Sequence, residues 1–266
     1  MEKGSVLVTG AFGGMGYATI KLLRSKGYKV FALDKNVKDE DGIVSIKMDI
    51  SKIDEIKKAY EMVLLQTDRL EAIIHFAGIY MLDSLIEIDE NDFEKMFKIN
   101  VFGCFMVNKI FMPLLKQNSK IIITTSELAP LDPLPFTGLY AITKSSLDKY
   151  AYSLCMELNL LDIHVSVIRS GAVKTNLLVS STTSLDNFCL KTNLYKCNAQ
   201  RFKDIVNSVE SKSVSPDKIA QKTLKILLSK KPKFVYNLNR NIYLRLLSSL
   251  PKRVQLFIIK QILKTK

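Results

Sequence analysis

The sequence predicts an α/β fold, a doubly wound parallel sheet with helices on both faces. Three observations carry this prediction. Short β-branched runs alternate with stretches of helical spacing along most of the chain. The runs are apolar at successive positions rather than at every second one, as in strands covered on both faces. The stretches between them are long enough for the crossover helices that parallel neighbours require.

The elements follow in order. Residues 5–9 (SVLVT) form a strand that ends at Gly10. Residues 14–26 carry helical spacing through Ala18, Leu22 and Leu23 and stop at Gly27. Residues 29–33 (KVFAL) form a second strand ending in Asp34, and residues 43–48 a third. Residues 53–65 are amphipathic, with Ile56, Tyr60, Val63 and Leu64 on one side. Residues 72–76 form a fourth strand before Ala77-Gly78, residues 92–115 a long helix, and residues 120–124 a fifth strand. Residues 139–160 are helical and residues 163–168 form a sixth strand.

The Ser/Thr/Asn-rich residues 176–213 break this pattern; a stretch so long with weak periodicity is expected to be a functional loop or lid. Pro216 then opens a helix with Ser215 as its cap. Two amphipathic stretches follow, at 243–247 and 254–263. With no linker or repeat in view, the 266 residues are read as one domain, with a lid at 176–213 and a basic amphipathic extension at 238–266.

Charge is uneven. Residues 1–190 hold 21 basic and 23 acidic side chains; residues 191–266 hold 18 and 3, and no acid follows Asp217. Such a tail suits an anionic partner or is a solvated basic surface. Aromatic-plus-basic patterns for nucleic acid are not evident. Cys104, Cys155, Cys189 and Cys197 form no C-x-x-C pair, and the chain has two His, so no metal site is expected. The cysteines read as buried thiols of a reducing compartment, which implies a cytoplasmic protein. Neither a signal peptide nor a membrane-spanning run is expected.

Thr9-Gly10-Ala11-Phe12-Gly13-Gly14-Met15-Gly16 lies between the first strand and the first helix. Glycine lets the backbone turn sharply and lie against a ligand. The helix N-terminus then offers free N–H groups to a pyrophosphate. No Lys-Ser/Thr pair follows, so this is not a P-loop. Asp34, at the end of the second strand, can accept hydrogen bonds from both ribose hydroxyls of a dinucleotide and would repel a 2′-phosphate. Position 12 is Phe rather than a basic residue; Lys35 offers at most a partial counter-charge, so NAD is expected over NADP.

Tyr140 and Lys144 are four apart at the start of a predicted helix, on one face. A neighbouring ammonium stabilises a phenolate and lowers its pKa, so that the phenol can exchange protons with a carbonyl or alcohol. Ser126 closes the fifth strand. The glycine turn, Asp34, Gly78 and Ser126 all fall at carboxyl ends of predicted strands, where open α/β sheets bind ligands.

On these residues the chain resembles the classical short-chain dehydrogenase/reductase family over nearly all of residues 5–236, particularly its hydroxysteroid and retinol members. TGAFGGMG at 9–16 matches the family's TGxxxGxG, and Ser126, Tyr140 and Lys144 match its catalytic Ser and YxxxK. The resemblance implies a Rossmann-like domain binding a nicotinamide cofactor through Gly10, Gly14, Met15, Gly16, Asp34, Asp49, Ile50, Ala77, Gly78, Tyr140, Lys144, Val173 and Thr175. It implies catalysis by Ser126, Tyr140 and Lys144, with Asn100 supporting a proton relay. Substrate would meet Ser126, Tyr140, Leu128 and Phe136; Leu134, Leu177, Leu178, Phe188 and Leu194 are further apolar candidates.

There are departures from the family pattern. NNAG appears as His75-Phe76-Ala77-Gly78, Ser170 replaces a proline, and the interval from Ser126 to Tyr140 is one residue longer than usual. His75 and His164 are expected to be structural. The implied activity is NAD(H)-dependent interconversion of a hydrophobic secondary alcohol and its ketone, with a hydroxysteroid or bile acid as the preferred guess. An epimerase or dehydratase of the extended type and an idle, membrane-associated NAD-binding scaffold remain alternatives. The resemblance also implies a homo-dimer or tetramer. The tail is expected to pack on the body or another subunit, or to touch a membrane.

Overall fold

The computed structural model describes residues 3–210 and 212–264, without side chains at 176–182 and 209–210. Seven strands form one parallel sheet: β1 (Lys3–Thr9), β2 (Tyr28–Asp34), β3 (Ile43–Lys47), β4 (Leu70–His75), β5 (Leu115–Ser126), β6 (His164–Ser170) and β7 (Val235–Leu238). Their order is β3-β2-β1-β4-β5-β6-β7. The winding reverses between β1 and β4, which opens a crevice at their carboxyl ends. The predicted doubly wound class is the observed one.

Helix α1 (Gly14–Ser25) buries Gly16, Thr19, Ile20 and Leu23, one stripe at helical spacing. It packs with α8 (Pro216–Leu228) on one face of the sheet, around Val6, Val8, Ile219 and Ile226. As predicted, Ser215 caps α8, its Oγ accepting from the Asp217 N–H at 3.2 Å. The other face carries α2 (Ile53–Leu64), α3 (Glu90–Phe97), α4 (Cys104–Phe111) and α5 (Gly138–Asn159). Leu7, Phe31, Ile56, Val107, Phe111 and Leu147 form that core. Each such fully buried side chain contributes about 1.5–3 kcal/mol.

Several expectations change. The helix read at 92–115 is α3 and α4 joined by a π-helical turn, Lys98–Gly103, and ended by a 3₁₀ turn, Met112–Leu114. By length and composition alone, Glu90–Leu114 is apolar enough to cross a membrane, which the sequence reading did not anticipate. Met96, Asn100, Gly103, Cys104, Val107 and Phe111 are nevertheless buried against the protein. The segment expected to be an irregular lid is a pair of helices, α6 (Asn176–Lys191) and α7 (Lys196–Glu210). Burial of Leu185, Phe188 and Phe202 overrides the weak helix propensity of its Ser, Thr and Asn. Glu87 holds their junction, accepting from Thr192 Oγ1 at 2.6 Å and the Asn193 N–H at 2.8 Å.

Strand β7 has no clear sequence signal, because it is a four-residue edge strand paired only with β6. The extension forms α9 (Ile242–Ser249) and α10 (Lys252–Leu263). It packs on the body: Asp132 takes Lys252 and Gln255, and Asn198 Nδ2 donates to the Leu263 carbonyl at 2.7 Å.

Candidate active site

Gly10 has φ 66° and turns the chain out of β1; a Cβ there would stand 2.5 Å from the Ala77 nitrogen. A Cβ at Gly16 would stand 2.1 Å from the Gly10 carbonyl oxygen. Both positions exclude a side chain, so the turn lies flat against the segment after β4. Gly14 meets Thr175 from the far side of the crevice. Asp34 Oδ2 accepts from the Phe12 N–H at 2.9 Å, and Oδ1 from the Asn36 N–H at 3.0 Å. These bonds fix the carboxylate beside the glycine turn. Lys35 turns away to Asp49, 3.6 Å distant. Burial opposes ionisation of Asp49, but bonds from Ser51 and the charges of Lys35 and Lys52 hold its carboxyl below the ordinary range. Ile50 packs beside Gly103 in the core and does not line the cavity described next.

A cavity of about 210 Å³ opens at the carboxyl ends of β4, β5 and β6. Ser126, Tyr140 and Lys144 share its wall with Gly78, Val173 and Thr175, and Met15 of the glycine turn reaches it. Sequence positions spread over 161 residues thus converge on one space. Thr124 lines it too, and its buried Oγ has no hydrogen-bond partner among the described residues. A buried hydroxyl without a partner, on the wall of a cavity that Met15 of the glycine turn also reaches, suits a bound polar group that would satisfy it.

Tyr140 stands in the first turn of α5, edge-on to Tyr80 with ring centroids 4.4 Å apart. Burial pushes its phenol up to about 12, against the lowering effect of the Ser126 hydroxyl. Burial likewise pushes Lys144 down to about 8. This corrects the expectation of a phenol acidified by its lysine. The Lys144 Nζ lies 5.7 Å from the Tyr140 ring centroid and donates to the Thr124 carbonyl at 3.3 Å. Loss of water outweighs attraction at that separation.

Asn100, in the π-helical turn, does not line the cavity. Its Oδ1 accepts from the Ile79 N–H at 2.8 Å and its Nδ2 donates to the Ile79 carbonyl at 3.0 Å. His75 is a structural histidine: it hydrogen bonds Thr9 at 3.3 Å and Asn108 at 2.9 Å, and burial lowers its pKa to about 4. His164 opens β6, its pKa lowered by burial and by Lys120.

Of the apolar candidates, Leu128 and Leu134 line the cavity. Phe136 does not. Its ring is held among Phe188, Tyr195 and Phe202, at centroid distances of 4.7, 5.1 and 5.3 Å. Phe188 belongs to that buried cluster and Leu194 is exposed. The side chains of Leu177 and Leu178 lie outside the described residues. Sequence reasoning missed Tyr80, Glu127, Phe202, Ile205, Val206 and Leu244 as liners. The 202, 205, 206 spacing is that of one helix face and was the available signal.

The glycine turn and the cavity both lie at the carboxyl ends of the strands, where doubly wound sheets bind ligands. A profile of the short chain dehydrogenase family matches residues 4–186. The chain belongs to that family, whose members are oxidoreductases acting on CH–OH groups. A probable short-chain type dehydrogenase/reductase of Helicobacter pylori, VdlC, is 26% identical over 254 residues, which cover 92% of each chain. Estradiol 17-beta-dehydrogenase 2 of Mus musculus is 31% identical over 193 residues, covering 66% of this chain and 50% of that relative. The crystal structure of 3-ketoacyl-(acyl-carrier-protein) reductase from Brucella melitensis, complexed with NADH, has the same fold. It superposes with a TM-score of 0.73 at 20% identity, covering 90% of this chain and 97% of that one.

Proposed function

We propose that the chain is an NAD(H)-dependent oxidoreductase that interconverts a hydrophobic secondary alcohol and its ketone. The observation that carries this is Ser126, Tyr140 and Lys144 on the wall of one largely apolar cavity that the glycine turn also reaches. Gly10, Gly14, Met15, Gly16, Asp34, Asp49, Ile50, Ala77, Gly78, Val173 and Thr175 would hold the cofactor, which when bound supplies the hydride acceptor or donor. Asp34 favours NAD, because its carboxylate is fixed beside the glycine turn, where it would repel a 2′-phosphate.

In the oxidative direction Ser126 donates a hydrogen bond to the reacting oxygen and orients it. Tyr140, as phenolate, takes the hydroxyl proton while the carbinol C–H bond breaks. In reduction Tyr140 returns that proton to the oxygen. Lys144, whose Nζ lies 5.7 Å from the Tyr140 ring centroid, would offer positive charge to the phenolate as it forms and so oppose the effect of burial. Asn100 supports the relay by fixing the segment that carries Gly78 and Ile79. Leu128, Leu134, Ile205, Val206 and Leu244 receive the apolar part of the substrate. These apolar walls favour a hydrophobic body such as a hydroxysteroid's; a bile acid's negative charge finds no cationic liner except Lys144 among the described residues.

Exposed Phe102, Phe105, Tyr152 and Met156 on the long helices favour a homo-oligomer. The outer faces of α9 and α10 expose Tyr243, Leu246, Leu256 and Phe257 among Arg240, Arg245, Arg253 and Lys260. That mixture favours peripheral contact of a cytoplasmic protein with an anionic lipid surface.

The test is Tyr140→Phe. Turnover of a responsive alcohol should fall by about 10³-fold or more, with NADH binding retained. Turnover at the unsubstituted rate would refute the assignment.

A further inference from the structure

The substrate cavity contains a carboxylate that alcohol oxidation does not require. Glu127 follows Ser126 directly, and its N–H continues the β5–β6 ladder to the Ser170 carbonyl at 2.9 Å. Glu127 is among the residues that line the cavity, and it is only 8% exposed. Oε2 accepts from the Asn241 N–H at 2.6 Å. Oε1 lies beside Gly171, where a Cβ would stand 2.8 Å from it. Gly171 is itself a cavity liner.

The protein leaves the charge poorly compensated. Among the described residues, no Lys or Arg nitrogen forms an ion pair with Glu127. Arg169, at the end of the neighbouring strand, is committed to Asp148 by bonds of 3.0 and 2.6 Å. Arg240 acts on Glu127 only through space. Burial pushes the Glu127 carboxyl up, against the opposing effects of the Asn241 N–H and Arg240. A buried carboxylate with one hydrogen bond is costly unless a donor or cation completes it. The walls beyond it, Leu128, Leu134, Ile205, Val206 and Leu244, offer neither.

We propose that Glu127 binds a cationic amine carried by the substrate, so that the site's substrates are hydrophobic amino alcohols and the matching amino ketones. This rests on the dehydrogenase reading above and narrows it. The amine is preferred over a hydroxyl because a charge-assisted hydrogen bond in a dry site is about twice as strong as a neutral one. An anionic substrate would meet repulsion at the same point.

The experiment compares three probes of equal alkyl length in NAD-dependent oxidation: a vicinal amino alcohol, the alkanol without the amine, and the corresponding diol. The unsubstituted chain should favour the amino alcohol over the plain alkanol by about 30-fold in kcat/KM. Glu127→Gln keeps an acceptor for the Asn241 N–H and should reduce that ratio to within about threefold. Calorimetric binding of the amino alcohol should weaken by a similar factor in the variant. A ratio that survives the substitution, a ratio near one in the unsubstituted chain, or preference for the diol overturns the proposal. If no probe is oxidised, the dehydrogenase reading fails by itself, and calorimetry alone then decides whether Glu127 binds the amine.

Discussion

The carboxamide of Asn100 grips both main-chain polar groups of Ile79, accepting from its N–H at 2.8 Å and donating to its carbonyl at 3.0 Å. Asn100 Nδ2 also reaches Thr143 Oγ1 at 3.2 Å, one residue before Lys144. One side chain therefore ties the segment after β4 to the helix bearing Tyr140 and Lys144. Asn100→Ala should destabilise the fold by about 1–3 kcal/mol, because part-buried main-chain groups of Ile79 lose their partners. Urea unfolding gives the stability. A kcat loss exceeding the loss in cofactor binding would mark the effect on positioning. An unchanged unfolding midpoint would contradict the clamp.

Asp34 should govern cofactor choice. Asp34→Ser removes the fixed negative charge and should lower the NAD-to-NADP ratio of kcat/KM by about 100-fold. The ratio is read from cofactor saturation curves with one alcohol. A ratio that does not move would place selectivity elsewhere.

His75 predicts an acid-labile step in stability. Its folded pKa, about 4, lies below the ordinary 6.5 because burial disfavours the imidazolium. As pH falls, the unfolded chain takes the proton first. The contribution is fully present above about pH 6.5 and is lost as pH falls through about 4, a change of about 3 kcal/mol. Unfolding midpoints measured across that window should fall more steeply for the unsubstituted chain than for His75→Gln. Parallel profiles would rule the histidine out as the cause.

The outer faces of α9 and α10 should bind anionic vesicles. Leu256 and Phe257 are 67% and 63% exposed, so Leu256→Asp with Phe257→Asp should leave folding intact. Co-sedimentation with phosphatidylserine-containing vesicles should drop by about tenfold or more, and high salt should weaken binding of the unsubstituted chain. Retention of the doubly substituted chain on vesicles would show that another surface binds.

Much of the fold was legible because strand and helix periodicity are local properties. The helix over 14–26 follows from spacing, although of Ala18, Leu22 and Leu23 only Leu23 falls in its buried stripe, and the cap at Ser215 follows as well. The glycine turn, Asp34, Ser126, Tyr140 and Lys144 were identifiable because their chemistry restricts which residue types can serve. Strand β7 and the helical form of 176–210 were not legible. A short edge strand and Ser/Thr-rich helices gain their stability from neighbours distant in sequence.

The sequence by itself determined the doubly wound class, the strand-end placement of the polar groups and the Tyr140–Lys144 spacing. Only the tertiary structure decided that Phe136 packs with α6 and α7 rather than facing the cavity. It likewise decided that Glu127 enters the cavity, that Asn100 clamps Ile79, and that burial moves the Tyr140 and Lys144 pKa values. The physical reason is that burial and electrostatic environment depend on which distant residues surround a side chain, and spacing along the chain carries no record of them.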